Sequence, residues 1–240
     1  MSATEQESGP PPPVVDTSGL HEVADGVWVI PDRRVPLVPN IGIVVGDDAA
    51  LVVDTGMGTR NGRAVLETVR SVAGDRTLFL TLTHFHPEHG FGAHVFRGEA
   101  TVLYNRSQRD ELREKGHPYT ELFATFGPAV AEALEGIELI EPHVVYDGHA
   151  ELDLGGRRVE LWATGTAHTK GDQVVFLPEE RILFAGDLTE NSFFPIFPWF
   201  PPDDADVDGD RWVGVLDELE RLEPGLVVPG HGEAEAGTAL

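Results

Sequence analysis

The sequence predicts an α/β layered domain made of two βα halves packed sheet to sheet. Three observations carry that expectation. Short apolar, β-branched runs recur between Gly, Pro and Asp turns. Each of the two strand-rich halves is followed by a stretch with apolar residues at helical spacing, near 60–73 and near 207–222. Side chains able to bind a metal fall where the apolar runs end, which places them along one edge of the stacked sheets. A chain of 240 residues that is 41% hydrophobic fits one large domain or two fused halves, with ample material for a core and a pocket.

Taken in order, residues 1–19 contain Glu5-Gln6-Glu7-Ser8-Gly9 and the proline run from Pro10 to Pro13, have no apolar periodicity, and read as a disordered or extended tail. A single folded domain is expected over 20–240. Runs at 27–30, 41–45 and 50–53 read as strands, broken at Pro31, Pro36, Pro39 and the Gly46-Asp47-Asp48 turn. Asp54-Thr55-Gly56 closes the third strand as a turn that exposes a carboxylate. Ala64, Val65, Leu66, Val69 and Val72 then recur at helical spacing up to Gly74, so a helix packs on the sheet before a strand at 78–82. Gly90-Phe91-Gly92-Ala93-His94 is expected to open another helix, with His94 as a packing or surface residue, before a strand at 101–104.

An insert over 106–136 reads as two helices, 107–115 and 119–134, the second interrupted at Gly127-Pro128. An excursion of this kind beside a catalytic face is a common place for a lid, and His117, Tyr119, Phe123 and Phe126 are candidates for lining the pocket beneath it. Runs at 144–145, 150–154, 158–162, 173–177 and 182–185 form the strands of the second half, with His143 and His149 structural or exposed at their edges. The segment Asn191 to Pro202 carries Phe193, Phe194, Phe197, Trp199 and Phe200 between stiffening prolines, too many aromatics for an ordinary solvated loop. It reads as an apolar wall of the substrate pocket, with a contact between two copies of the chain or simple core packing as the alternatives. After the last helix and a strand at 226–228, little sequence follows His231, so the domain edge is expected to be open or completed by another chain.

The chemistry centres on Thr83-His84-Phe85-His86-Pro87-Glu88-His89-Gly90, which follows the apolar run 78–82. Three imidazoles and a carboxylate within six residues at the end of a buried strand are costly unless something binds them, and imidazole with carboxylate suits zinc, iron and nickel. His84 and His86 are two apart and point the same way from an extended backbone, while Glu88 and His89 fall in the turn that follows. Further donors stand downstream: His168 after Gly165, Asp187 after Gly186, and His231 after Gly230.

This ordered series, Asp54-Thr55-Gly56, the histidine cluster, His168, Asp187 and Gly230-His231-Gly232, resembles the metallo-β-lactamase-fold hydrolases over roughly residues 22–232. The resemblance implies an αββα four-layer sandwich and two divalent metals, zinc first and iron or manganese as alternatives. It further implies that His84, His86 and His168 hold one metal, that Glu88, His89 and His231 hold the second, that Asp187 bridges them and that Asp54 orients the site. The sequence departs from the family pattern at Glu88, where Asp is usual. The longer carboxylate either ligates with a shifted position, favours another metal, or withdraws to leave one metal.

The resemblance implies hydrolysis of an ester, thioester, lactone or amide by a hydroxide shared between the metals, with no separate general acid identifiable unless Glu88, off the metal, takes that part. Iron-dependent oxidoreduction or persulfide oxidation on the same fold, and a non-catalytic metal-binding protein, are the competing readings. A formal charge of −24, with only Lys115 and Lys170 beside fifteen arginines, repels polyanions, so a small-molecule substrate is expected and nucleic acid is not. The absence of cysteine excludes disulfides, thiolate zinc sites and a cysteine nucleophile. No run approaches the ~20 apolar residues of a membrane span and the N-terminus lacks a signal-like apolar core, so no membrane association and a cytoplasmic location are expected, with a homodimer possible.

Overall fold

The computed structural model of the chain describes residues 11–193 and 207–237. A seven-stranded sheet runs in chain order through β1 (His21–Ala24), β2 (Val27–Ile30), β3 (Ile41–Val45), β4 (Ala49–Val53), β5 (Thr77–Thr81), β6 (Ala100–Asn105) and β7 (Val144–Tyr146). Its first four strands pair antiparallel and β4 to β7 pair parallel. The second sheet contains β8 (His149–Asp153), β9 (Arg158–Ala163), β10 (Gln173–Leu177), β11 (Ile182–Glu190), β12 (Leu226–His231) and β13 (Glu235–Ala236), again neighbours in order. Only its β11–β12 pair is parallel.

The helices are α1 (Gly58–Ala73), α2 (Pro87–Gly90), α3 (Arg106–Ala124), α4 (Pro128–Ala133) and α5 (Gly209–Glu220). In α1, Val65, Val69 and Ala73 repeat every four residues and form one buried stripe on the first sheet, ending where Gly74 adopts φ +62°. In α5, Trp212, Val215 and Leu219 pack against Phe176, Leu183 and Val227 on the outer face of the second sheet. Between the sheets, Val29, Val44, Leu51 and Val53 meet Leu161, Val175, Phe184 and Val228. Strand β4 shows why a wholly apolar run is needed: Ala50 and Val52 face the α1 layer, whereas Leu51 and Val53 face the opposite sheet. The order of layers is therefore helices, sheet, sheet, helix, the expected αββα sandwich.

Several boundaries differ from the sequence reading. Residues 11–19 are not a detached tail: Val15 is buried, Asn61 accepts its N–H at 3.0 Å, and Asn61 also donates to the Pro13 carbonyl at 2.7 Å. The Pro-rich segment thus joins the domain before residue 20, while residues 1–10 lie outside the described ones. The break expected between two helices near 116–118 is absent, and α3 runs through Pro118. Pro118 and Glu114, the residue whose carbonyl loses its partner, both sit on the exposed side, where solvent can replace the bond. The insert helices do not stand off as a flap, since Leu112, Tyr119, Phe123 and Val130 join the core with Phe85 and Tyr104. Instead of a helix opening at Gly90, the short α2 ends there and a 3₁₀ turn over Ala93–Phe96 follows. Strand β11 continues past Asp187 to Glu190, and β13 pairs with β12 at the edge expected to be open. No described helix is long and apolar enough to cross a membrane.

Candidate metal centre

The carboxyl ends of parallel strands meet at one rim, the place where α/β sheets collect functional groups. Asp54 follows β4, residues 83–89 follow β5, Asp187 lies in β11 and His231 ends β12. His168 arrives on the loop between β9 and β10. Asp187 stands within its strand rather than at the end, in a stretch where the β11–β12 register shifts between Phe184 and Glu190. Such an irregularity re-aims side chains out of the ladder. Gly230 on β12 is required by close approach, because a Cβ there would lie 1.8 Å from Asp187 Oδ1.

The donors form two groups, His84, His86, His168 and Asp187 in one and Glu88, His89, Asp187 and His231 in the other, with the donor atoms of each group all within 4.8 Å of one another. Asp187 belongs to both. Its Oδ2 lies 3.7 Å from His84 Nε2 and 3.6 Å from His168 Nε2, and its Oδ1 lies 3.2 Å from His89 Nε2 and 3.7 Å from His231 Nε2. His86 presents Nδ1, 3.2 Å from His168 Nε2. Four-coordinate metal–nitrogen bonds of about 2.0–2.1 Å put neighbouring donors roughly 3.3 Å apart. The Asp187 and His86–His168 separations, 3.2–3.7 Å, come within a few tenths of an ångström of that requirement. Glu88 stands inside the second group despite its extra methylene.

Two of the donor atoms, His84 Nε2 and Glu88 Oε2, are buried without a hydrogen-bond partner, and His89 Nε2 and Asp187 Oδ1 are buried facing each other at 3.2 Å. Each such atom costs on the order of 1–3 kcal/mol unless something satisfies it. Nitrogen and oxygen donors of this kind fit zinc, iron or manganese.

The supporting contacts fix which atoms face the cleft. Asp54 accepts from Thr83 N at 2.7 Å, Thr83 Oγ1 at 2.9 Å and His89 Nδ1 at 2.9 Å, and it holds φ +68°, a conformation uncommon outside glycine. The His89 bond leaves Nε2 as the free ring nitrogen on the cleft side. Asp172 accepts from His168 N at 2.6 Å and Thr169 N at 2.9 Å, which pins the His168 loop. Asn40 donates to the Pro229 carbonyl at 2.9 Å and the Gly232 carbonyl at 2.7 Å, and Asp32 accepts from Gly232 N at 2.9 Å, so the β2–β3 loop holds the His231 turn. Tyr119 stacks on the His86 ring, with centroids 5.4 Å apart and planes 19° from parallel.

Electrostatics prepares the imidazoles. Burial, reinforced by neighbouring histidines, holds His84 and His86 well below the usual histidine range, and burial brings His168 down to about 4. These rings are neutral at pH 7, the state a metal requires. His89 is the exception: burial opposes its protonation, but the Asp187 and Asp54 carboxylates outweigh it and raise the ring well above the ordinary value. Asp187 is lowered well below the carboxylate range, since His89, His231 and His84 outweigh its burial. Burial lifts Glu88 to about 7.

The other expected positions divide. His94 packs between Thr59 Oγ1 and the Phe91 carbonyl, His143 accepts from Val102 N, and His149 is exposed beside Trp162. His117 is not part of the cleft: it is exposed and borders a separate cavity with Leu139 and Glu141. Phe123 and Phe126 continue the aromatic row behind Tyr119. Phe193 is 44% exposed at the mouth, its ring centroid 6.1 Å from that of His231 and 5.0 Å from the Arg34 guanidinium. Phe194, Phe197, Trp199 and Phe200 lie outside the described residues. The sequence reading missed Thr83, Asp172, Asn40 and Asp32. Thr83 and Asp172 stand within four residues of a donor, whereas Asn40 and Asp32 have no donor near them in the sequence and reach the His231 turn only through the fold.

The sequence model of the metallo-beta-lactamase superfamily matches residues 34–231. A linear primary-alkylsulfatase of Pseudomonas sp. is 22% identical over 221 residues, and the alignment spans 81% of this chain but only 42% of that protein. The acyl-coenzyme A thioesterase MBLAC2 of Bos taurus is 24% identical over 230 residues, spanning 87% of this chain and 79% of that protein. Among solved structures, a metallo-beta-lactamase from Pontibacter korlensis superposes with a TM-score of 0.69 at 20% identity, covering 91% of this chain and 93% of that one. Relatives of this kind are metal-dependent hydrolases. With most of its length matched and the donor residues gathered at the rim of the αββα sandwich, the chain belongs to the metallo-beta-lactamase superfamily.

Proposed function

We propose that the protein is a metal-dependent hydrolase of a small-molecule ester, thioester, lactone or amide that uses two divalent cations, zinc ahead of iron or manganese. The observation that carries this reading is Asp187, whose two carboxylate oxygens face different donor groups. His84, His86 and His168 would complete one cation site, and Glu88, His89 and His231 the other. Bound there, the cations supply Lewis-acid polarisation of a carbonyl and bring water towards a pKa of ~7. Everything else in the reaction falls to the chain. Asp54 keeps His89 Nε2 on the cleft side, Tyr119 fixes the His86 ring, and Asp187 spans the two groups. Phe193 offers an apolar contact at the mouth for the acyl part.

Within this class thioester and amide are the first choices, because the bovine relative, a thioesterase by name, and a metallo-beta-lactamase of Bacillus cereus are each matched over most of their length, whereas the alkylsulfatase is matched over less than half. A charge of −24 argues against nucleic acid. The test is turnover of an ester, thioester, lactone and amide panel by zinc-loaded protein and by its Asp187→Ala variant. Turnover that depends on Asp187 supports the reading. A protein that holds two zincs but turns over none of the panel refutes it.

A further inference from the structure

One face of α3 is polar where it meets the core. Asn105, which caps the helix, and Gln108, Glu111 and Lys115 follow one another at intervals of three, three and four residues, and all four are buried. Their side chains reach the two segments that carry the first donor group. Gln108 Nε2 donates to the Leu82 carbonyl at 2.8 Å, two residues before His84. Asn105 Nδ2 donates to the Gly171 carbonyl at 2.8 Å, and Glu111 Oε2 accepts the Gly171 N–H at 2.7 Å, three residues after His168. Both backbone groups of Gly171 are therefore gripped by one helix. The approach is so close that a Cβ at 171 would lie 2.4 Å from the Gln108 Cα. Gln173 N then donates to the Thr83 carbonyl at 2.9 Å and ties the two segments directly.

Behind this grip lies an ion pair, Lys115 Nζ to Glu111 Oε1 at 2.8 Å, with both side chains buried and the ammonium 5.4 Å from the Phe85 ring centroid. A buried pair of this kind contributes little to stability compared with apolar residues of the same volume. A gain in position explains its presence better than a gain in stability. We infer that Glu111, with Lys115 as its counter-ion, is a positioning residue that sets the distance between His168 and the His84–His86 pair by holding Gly171. The inference rests on the reading that these histidines bind a cation.

The experiment compares the full chain with Glu111→Leu/Lys115→Met, which removes the pair at similar volume. Zinc affinity is measured by competition with a chromogenic chelator in two backgrounds: His231→Ala, which leaves the His84–His86–His168 group, and His86→Ala, which leaves the other. Hydrogen exchange at the Gly171 amide is followed in metal-free protein. The double variant is expected to fold with a somewhat lower Tm, because the buried Gly171 N–H loses its acceptor, and to exchange at Gly171 at least about tenfold faster. Zinc binding should fall about tenfold in the His231→Ala background alone, the range for residues that orient metal ligands. Glu111→Gln, which keeps an acceptor for Gly171, should restore binding. Parent-like exchange and affinity, equal losses in both backgrounds, or a double variant that does not fold would overturn the inference. If the His231→Ala background binds no zinc even with Glu111 and Lys115 in place, the cation reading fails, and Gly171 exchange still decides whether the grip exists.

Discussion

Replacing Asp54 by Asn separates orientation of a metal ligand from everything else Asp54 does. Asn tolerates φ +68° better than most residues, so the backbone turn survives, and its side-chain oxygen can still accept from Thr83 N. What it cannot do is present an acceptor to both Thr83 and His89, because one carboxylate oxygen becomes an amide donor facing His89 Nδ1. The lost bond is buried and charge-assisted, worth about 1.5–3 kcal/mol, and the freed imidazole can change tautomer. Loss of such an orienting contact weakens metal binding about 10–100-fold, or about 1.4–2.7 kcal/mol. The loss should fall mainly on the Glu88, His89 and His231 group, since Asp54 bonds His89 directly and reaches His84 only through Thr83 Oγ1, 3.1 Å from His84 Nδ1. Zinc titration of metal-free protein by calorimetry should show one tight site retained and one weakened. A variant that folds and binds both zincs with parent affinity refutes the assignment of Asp54.

Three further outcomes follow from the same geometry. Burial raises Glu88 from 4.5 to about 7, so the folded metal-free state holds that proton more tightly than the unfolded chain; stability linked to it is full below about pH 4.5 and lost as pH rises through about 7. Metal-free Glu88→Gln should therefore gain on its parent between pH 5 and pH 8 by up to about 3 kcal/mol in urea unfolding, and an equal difference at both pH values would contradict the shift. Glu88→Asp should keep two metals per chain with altered affinity, while Glu88→Ala should lose one; parent stoichiometry in Glu88→Ala would remove Glu88 from the ligand set. Gly230→Ala forces a methyl into Asp187 Oδ1 and should cost at least about tenfold in turnover, with circular dichroism unchanged; parent turnover would show that β12 yields there at little cost.

The candidate donors were legible because side chains of this kind are expensive to cluster and bury unless something binds them. His84, His86, His89, His168, Asp187 and His231 could be picked out from residue type and from their place after an apolar run and a turn, and the structure brings all six together. The strands were legible from runs such as 41–45 and 173–177, which are buried on both faces and so contain little but apolar residues. Features set by tertiary contact were not. Pro118 reads locally as a helix break, yet packing of Leu112, Tyr119 and Phe123 into the core carries α3 through it. Val15 gives no periodic signal, and its burial depends on Asn61, 46 residues away. Nothing local to Asp172 reveals that its carboxylate holds the His168 backbone. The extension of β11 beyond Asp187 arises from pairing with β12 across a shifted register, which composition does not encode.

The central claim is that Asp187 lies between two cation sites, and metal content per chain tests it most directly. Protein prepared without chelator or histidine tag, analysed by elemental mass spectrometry, should contain close to two divalent ions per chain, and its Asp187→Ala variant should contain clearly fewer while remaining folded. One ion or none in the parent chain, or two in the variant, would contradict the account.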